Sequence, residues 1–351
     1  MKALVKAKKA RGLWMRDVPE PEIEPNEALI RIRAAGICGT DLHIYAWDKW
    51  SRARIKTPLV VGHEFVGDVA ALGSEVHHLR VGDRVSGEGH LTCGQCQYCR
   101  TGQGHICREV EIIGVDRSGC FAEYLAMPAD NIWPVPPAIP DRQAAVFDPL
   151  GNAMHTVMSC DVAGRSVLVT GAGAIGLFAV PIVKGLGASP VIVVEPLDYR
   201  RRIAKKVGAD LALNPESDGV DKKVLDLTEG LGAEVLLEMS GKAGAIHQGL
   251  QLLRNGGEAS MLGIPPGPIK LDLAEDVIFK GITLHGVNGR RIFDTWYQSQ
   301  AFLLKTKGAI DPVITHVFDF EDYEKGFDLL FKGKAGKVVL TLPGTATMRD
   351  R

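Results

Sequence analysis

From Met1 to about Pro149, apolar and polar positions alternate in short runs: ALVKA, EALIRIRAAG, VVGHEFVGDVAALG, GDRVSG and FAEYLAM. Gly, Pro, Asn and Asp separate them. A period of two places every second side chain on one face. These runs therefore predict strands in a small, twisted antiparallel β assembly with few helices. The proline-dense PVPPAIPD, Pro134–Asp141, reads as a linker.

The pattern then changes. SVLVT (Ser166–Thr170) and PVIVVE (Pro190–Glu195) are continuous apolar runs, as expected of strands buried on both faces. AEVLLEM, EASMLGI and ITLHGV are further strand candidates, and helix-like GLFAVPIVKGLG and DYRRRIAKKVG fall between strands. Strands alternating with helices predict parallel βαβ units in a doubly wound sheet. From about Arg291 a helix-like DTWYQSQAFLLKTKG precedes two β-like runs, VITHVFDF and GKVVLTL. The fold class expected is α/β, a β-rich domain followed by a parallel-sheet domain.

GAGAIG, Gly171–Gly176, sits where the first buried run gives way to a helix. In that context G-x-G-x-x-G predicts a dinucleotide cradle. The glycines Gly171, Gly173 and Gly176 give a tight turn, close backbone approach to a pyrophosphate and close helix–strand packing, with Ile175 inside the turn. The opening helix turn offers free N–H groups to phosphate. Glu195 closes the second buried run at the distance expected of a ribose-binding acid. Its carboxylate would repel a 2′-phosphate, so NAD is expected over NADP. Arg200 lies one turn into the next helix, where it reaches the adenosine or simply faces solvent. Leu262, Gly263 and Ile264 in MLGIPP, with Gly286 and Val287 after ITLH, are the other cofactor-binding candidates.

Length narrows the picture to two domains, since 351 residues are many for one hydrophobic core. A formal net charge of −1 argues against nucleic acid or an anionic membrane as partner. MKALVKAKKA lacks the apolar core of a signal peptide, and no apolar run is long enough to span a bilayer, so a cytoplasmic location is expected.

That location bears on Cys93, Cys96, Cys99 and Cys107, four of the seven cysteines. Disulfides, an iron–sulfur cluster and a structural metal site compete. Stable disulfides are rare in a reducing compartment, and an odd cysteine count suits them poorly. Ferredoxin-type clusters end with a three-residue gap, then cysteine and proline, whereas the last gap here is seven residues with no proline after it. Zn²⁺ in a closed site of four thiolates is the reading that spacing favours, and a closed site is structural. His90 and His105 flank it as loop residues. Cys120 and Cys160 lack ligand spacing and read as buried thiols, and His155 as a structural residue.

A second set of metal-type residues is scattered: Cys38, Thr40, Asp41 and His43 in AAGICGTDLH, His63 and Glu64 in VVGHEFVG, and Asp148 in FDPLGN. None is decisive alone. Together with the GDRV turn at Gly82–Val85, the four-cysteine lobe and GAGAIG, they resemble the zinc-dependent medium-chain alcohol dehydrogenases along nearly the whole chain. The resemblance implies a GroES-like β-rich catalytic domain over 1–149, a Rossmann NAD-binding domain over 150–290, and a segment 291–351 that returns to the first. It implies two Zn²⁺ per chain. On that resemblance Cys38 and His63 would hold a catalytic ion, with Glu64 an acid that binds it or alternates with water. Asp148 stands where the family usually has Cys or Glu, and an aspartate is one methylene shorter. Thr40 and His43 resemble a proton relay, and Asp148 a residue affecting catalysis beside the metal. The expected reaction passes hydride from a small alcohol to the nicotinamide in a dry cleft between domains. The strings ICGTDLHIYAWDKW, SGEGHLTCGQCQYCR, FDPLGNAMHT, EMSG, MLGIPP and VIFKG resemble the branch that oxidises L-threonine, and a homotetramer is implied. The rivals are a polyol or butanediol dehydrogenase of the same family and a non-catalytic NAD-binding zinc protein.

Overall fold

In the computed structural model, which describes residues 1–342, the run EALIRIRAAG is the strand Glu27–Ile37. It lies inside a seven-stranded sheet ordered Ile132–Pro134, Arg84–Gly87, Glu64–Leu72, Glu27–Ile37, Lys337–Thr341, Ile314–Asp319, with Tyr124–Pro128 also pairing to Glu27–Ile37. Its inward positions Ala28, Ile30, Ile32 and Ala34 are buried, as the period of two demands. Irregular register at Leu29/Ile30 and Ile32/Ala34 lets this long strand bend. The sheet is antiparallel except for its last pair. Ile314–Asp319 and Lys337–Thr341 run parallel, joined through the helix Tyr323–Phe331.

Register sets the geometry that matters later. Gly36 pairs with Glu64, and Ile37 with Val338. The end of one strand thus meets the start of two others, and Cys38, His63, Glu64 and Lys337 are placed at one corner. PVPPAIPD is no loose linker: Val135 and Ile139 are buried. The Arg84 guanidinium donates to the Pro136 and Ile139 carbonyls at 2.5 and 2.7 Å and to Asp141 Oδ1 at 2.7 Å. Proline density predicted extension, and the arginine turns that extension into a strap.

The second unit is a six-stranded parallel sheet ordered Leu211–Leu213, Val191–Val194, Val167–Thr170, Ala233–Glu238, Leu253–Met261, Thr283–Gly286. All residues of Val167–Thr170 and Val191–Val194 are buried, as continuous apolar runs require. Leu168, Ile192, Leu236, Leu250 and Ala259 form part of one core cluster. Strand order reverses beside Val167–Thr170, the point where such sheets bind ligands at their carboxyl ends.

The units divide differently from the expectation of 1–149, 150–290 and 291–351. The first comprises Met1–Asp148, Ile314–Lys332 and residues 337–342; the second comprises Pro149–Val313 and Gly333–Gly336. The return therefore starts at Ile314. The helix Asp294–Thr306 stays with the second unit because its inner face needs cover: Trp296 and Leu303 are buried, and the Phe302 ring packs against Gly185. The part of the expected C-terminal segment beyond residue 342 lies outside the described residues. Among the described residues, no helix is long and apolar enough to cross a membrane.

Candidate metal and dinucleotide sites

Cys38 follows the strand Glu27–Ile37 and caps the helix Gly39–Ala46. One ligand atom each from Cys38, His63 and Glu64 lies within 4.8 Å of the others. His63 and Glu64 are almost fully buried. Asp41, fully buried, accepts the Cys38 N–H at 2.8 Å through Oδ2 and brings Oδ1 to 3.9 Å from His63 Nδ1. Neither of those last two atoms has a hydrogen-bond partner. Burial acts to hold the His63 ring down. Negative charge on Cys38, Asp41 and Asp148 and a hydrogen bond donated by the ring to Cys38 overcome that and push it up to about 10. A buried corner made of thiol, imidazole and carboxylate has the donor set that a Zn²⁺ ion needs.

Behind Glu64 stands a residue that sequence reasoning missed. Lys337, 1 % exposed, reaches Glu64 Oε1 at 2.6 Å and Oε2 at 2.5 Å, and donates to the Ile37 carbonyl at 2.8 Å. Gly36 makes room for this pair: a Cβ there would stand 2.2 Å from Glu64 Oε2 and 3.1 Å from Lys337 Cε. Asp148 is the second residue of the helix Phe147–Met158, with Pro149 in the first helical turn where a missing N–H costs nothing. Its buried charge acts on Asp41, His63 and Glu64, but it stands outside the cluster of three ligand atoms.

Thr40 and His43 lie three residues apart on one helix face. The Thr40 hydroxyl is 3.9 Å from Cys38 Sγ. The His43 ring is largely exposed and brings Nδ1 to 2.5 Å from Asp48 Oδ2. Asp48 was also missed. It caps the helix Lys49–Arg54 by accepting the Ser51 N–H at 3.0 Å, so its second oxygen is held towards His43. The backbone N–H of Ser51 and the His43 ring outweigh burial and keep the Asp48 carboxyl below its usual range.

The four lobe cysteines are all free of disulfides. The Sγ atoms stand 3.5 Å apart for Cys96–Cys99, 3.9 Å for Cys96–Cys107 and 3.6 Å for Cys93–Cys107. Sulfurs on a tetrahedral ion at about 2.3 Å are roughly 3.8 Å apart, far from a bonded pair at about 2.05 Å. Backbone N–H groups of Cys93, Cys96 and Glu109 each point at a sulfur at 3.4 Å. The N–H groups of Cys99 and Arg108 draw Cys96 down to about 6, while burial and the neighbouring sulfurs push Cys99 up to about 12, so the two sulfurs share a proton that a bound ion would displace. The set fits an ion closed in by four thiolates.

In the second unit, Gly171 adopts φ of +90°, a conformation open to glycine. A Cβ on Gly176 would lie 2.1 Å from the Gly171 carbonyl oxygen, so helix and turn touch there. Gly173 caps the helix Ala174–Gly185 and has open space over it, while Ile175 lies in that helix's first turn. Glu195 is buried, with Oε2 accepting the Ala172 N–H at 2.7 Å and Oε1 the Leu197 N–H at 3.0 Å. Each oxygen keeps a further lone pair for a ribose hydroxyl. Arg200 Nε is buried without a partner, whereas Arg201 directs its guanidinium at the Glu195 and Pro196 carbonyls. Leu262 and Gly263 follow the strand Leu253–Met261 and donate to the Glu238 carbonyl at 3.0 Å, while Ile264 is exposed. Gly286 ends the outermost strand, and Val287 donates to the Met261 carbonyl. Glu238, quoted in EMSG but given no role there, ties this edge together: Oε1 accepts from Ser240 N–H and Oγ and from Gly241 N–H. The candidates thus share the carboxyl edge of one sheet.

The family described as "Alcohol dehydrogenase GroES-like domain" matches residues 24–137, and "Zinc-binding dehydrogenase" matches residues 174–305. The chain is 47 % identical over 341 residues to an L-threonine 3-dehydrogenase of Klebsiella pneumoniae, covering 97 % of this chain and 99 % of that protein. Among solved structures, the alcohol dehydrogenase TADH from Thermus sp. ATN1 superimposes with a TM-score of 0.88 at 30 % identity, covering 97 % of this chain and 100 % of that one. A short chain alcohol dehydrogenase from Escherichia coli CFT073, complexed with cofactor NADH, gives 0.88 at 27 % identity over 97 % and 99 %. With a β-rich unit that gathers thiol, imidazole and carboxylate, a four-thiol lobe and a parallel sheet with a glycine turn, the chain belongs to the zinc-dependent medium-chain alcohol dehydrogenase family.

Proposed function

We propose that this protein oxidises L-threonine at its β-hydroxyl to 2-amino-3-oxobutanoate, with hydride passing to NAD and one proton to solvent. The observation that carries the reading is the identity of 47 % over 97 % of the chain to a curated L-threonine 3-dehydrogenase. Cys38, His63 and Glu64 would hold one Zn²⁺, and Cys93, Cys96, Cys99 and Cys107 a second. When bound, zinc supplies Lewis acidity that lowers the pKa of a hydroxyl, and NAD supplies a hydride acceptor. The protein's own residues do the rest. Asp41 holds the Cys38 backbone and places its charge beside His63, Lys337 fixes Glu64, and Asp148 adds negative charge beside them. The Thr40 hydroxyl takes the substrate proton and hands it to His43, whose imidazolium Asp48 stabilises before release to water. Gly171, Gly173, Ile175 and Gly176 receive the pyrophosphate. Glu195 receives the adenosine ribose and disfavours NADP, with Arg200 beside it. Leu262, Gly263, Ile264, Gly286 and Val287 would complete the dinucleotide site. A cytoplasmic homotetramer acting on a small molecule is the assembly this reading carries.

The test is steady-state kinetics with NAD on L-threonine, 2,3-butanediol and sorbitol. L-Threonine should have the highest kcat/KM. If a diol or polyol exceeds it, the substrate assignment fails. If no alcohol turns over with metal-replete protein, the chain is not this enzyme.

A further inference from the structure

We propose a third divalent-metal site in this chain, formed by Cys160, Glu258 and His285 and suited to zinc or a similar borderline ion. The three residues come from widely separated segments, so no sequence spacing announces them. Cys160 follows the helix Phe147–Met158, Glu258 lies on the strand Leu253–Met261, and His285 on the outermost strand Thr283–Gly286. All three belong to the second unit. One ligand atom from each lies within 4.8 Å of the others.

The details suit an ion better than a simple hydrogen bond. His285 Nε2 and Glu258 Oε2 are 3.3 Å apart. Two such atoms on a tetrahedral Zn²⁺ at about 2.0–2.1 Å are separated by about 3.3 Å. Glu258 is already oriented. Arg165 takes Oε1 at 2.7 Å, leaving Oε2 turned towards His285. Metal-binding carboxylates are commonly held this way by an outer partner. Ser260 pairs in register with His285, and its Oγ lies 3.1 Å from Cys160 Sγ, fixing the buried sulfur over the same strand pair. Glu258 and His285 remain part exposed, at 24 % and 32 % of their side chains, which gives an ion an entry route and a water for the fourth position. Burial pushes the Cys160 thiol up to about 11, so an ion would bind with loss of that proton; sulfur, imidazole and carboxylate then select zinc, cobalt or cadmium over calcium or magnesium. Glu258 sits three residues before Met261, roughly 10 Å down the strand from the edge that carries the cofactor candidates. An ion here would therefore clamp the outermost strand to its neighbour without touching the dinucleotide.

The experiment uses the whole protein as purified, with its resident metal counted first. Cd²⁺ is then added, bound metal is measured by equilibrium dialysis and elemental analysis, and new thiolate-to-metal absorption is followed. His285→Gln and Cys160→Ser are treated in the same way, each first checked for parental NAD binding. Expected are one further equivalent and a new absorption band in the parent, both lost in each variant. A rise in melting midpoint on adding metal should occur in the parent and not in the variants. No further equivalent in the parent, or an equivalent kept at parental affinity in either variant, overturns the proposal. Neither result depends on turnover, so failure here is separate from failure of the threonine reading.

Discussion

Replacing Lys337 by methionine keeps length and volume while removing one charge from a pair that is almost entirely excluded from water. Lys337 is 1 % exposed and Glu64 1 % exposed. The ammonium supplies Glu64 with contacts at 2.6 and 2.5 Å. Breaking such a pair from one side costs about 3–5 kcal/mol, because the surviving charge stays buried without compensation. For a unit of this size each kcal/mol moves the melting midpoint by about 2–4 °C, so Lys337→Met should lower it by roughly 6–20 °C. Removing both charges is different in kind. Lys337→Met with Glu64→Leu leaves no orphan and should recover most of the loss, as apolar replacements of buried pairs often do. The assay is thermal unfolding by calorimetry and circular dichroism, on metal-replete and chelated protein. Chelation should deepen the single variant's loss, since a bound cation is the other group able to compensate Glu64. A single variant within about 1 kcal/mol of the parent in chelated protein would refute the reasoning.

Asp48→Asn keeps the cap on Ser51 but removes the charge facing His43; kcat should fall while NAD affinity holds, and the pH–rate profile should move, with an unchanged profile counting against the relay. Gly176→Ala forces a Cβ to 2.1 Å from the Gly171 carbonyl, and fluorescence titration should show NADH binding lost or weakened by at least about tenfold. Asp210 accepts the Val191 N–H at 2.7 Å and pairs with Lys184, contacts that outweigh burial and hold its carboxyl below the usual range. A depressed folded pKa gives stability present above the unfolded value and lost as pH falls, so urea midpoints of parent and Asp210→Asn should differ at about pH 7 and converge below about pH 4.

What the sequence disclosed depended on how local each device is. The dinucleotide cradle reads directly because strand, glycine turn, helix and acid follow one another, from Val167 to Glu195. The four-thiol lobe reads directly because its four cysteines occupy one loop. The corner that holds Cys38, His63 and Glu64 is assembled by register between strands, and only resemblance to a family joined its parts. Asp41 stood among the metal-type residues and Asp48 lay inside the quoted ICGTDLHIYAWDKW, but the sequence assigned neither a partner. Their roles appear once one oxygen of each is bound to a backbone N–H and the other is left aimed at a histidine. Lys337 was invisible for a deeper reason. GKVVLTL predicts a strand, and a lysine opening a strand is ordinarily at the surface. It is buried because the last part of the chain enters beside Glu27–Ile37, 300 residues from Ile37, whose carbonyl it binds. Gly36 is the other half of that arrangement. Within a β-rich run a glycine weakens the strand, and its presence marks a close approach. A methyl group there would occupy the space of Glu64 Oε2. The identity of Gly36 is thus dictated by a carboxylate on the next strand and an ammonium from the far end of the chain, and by no property of its own segment.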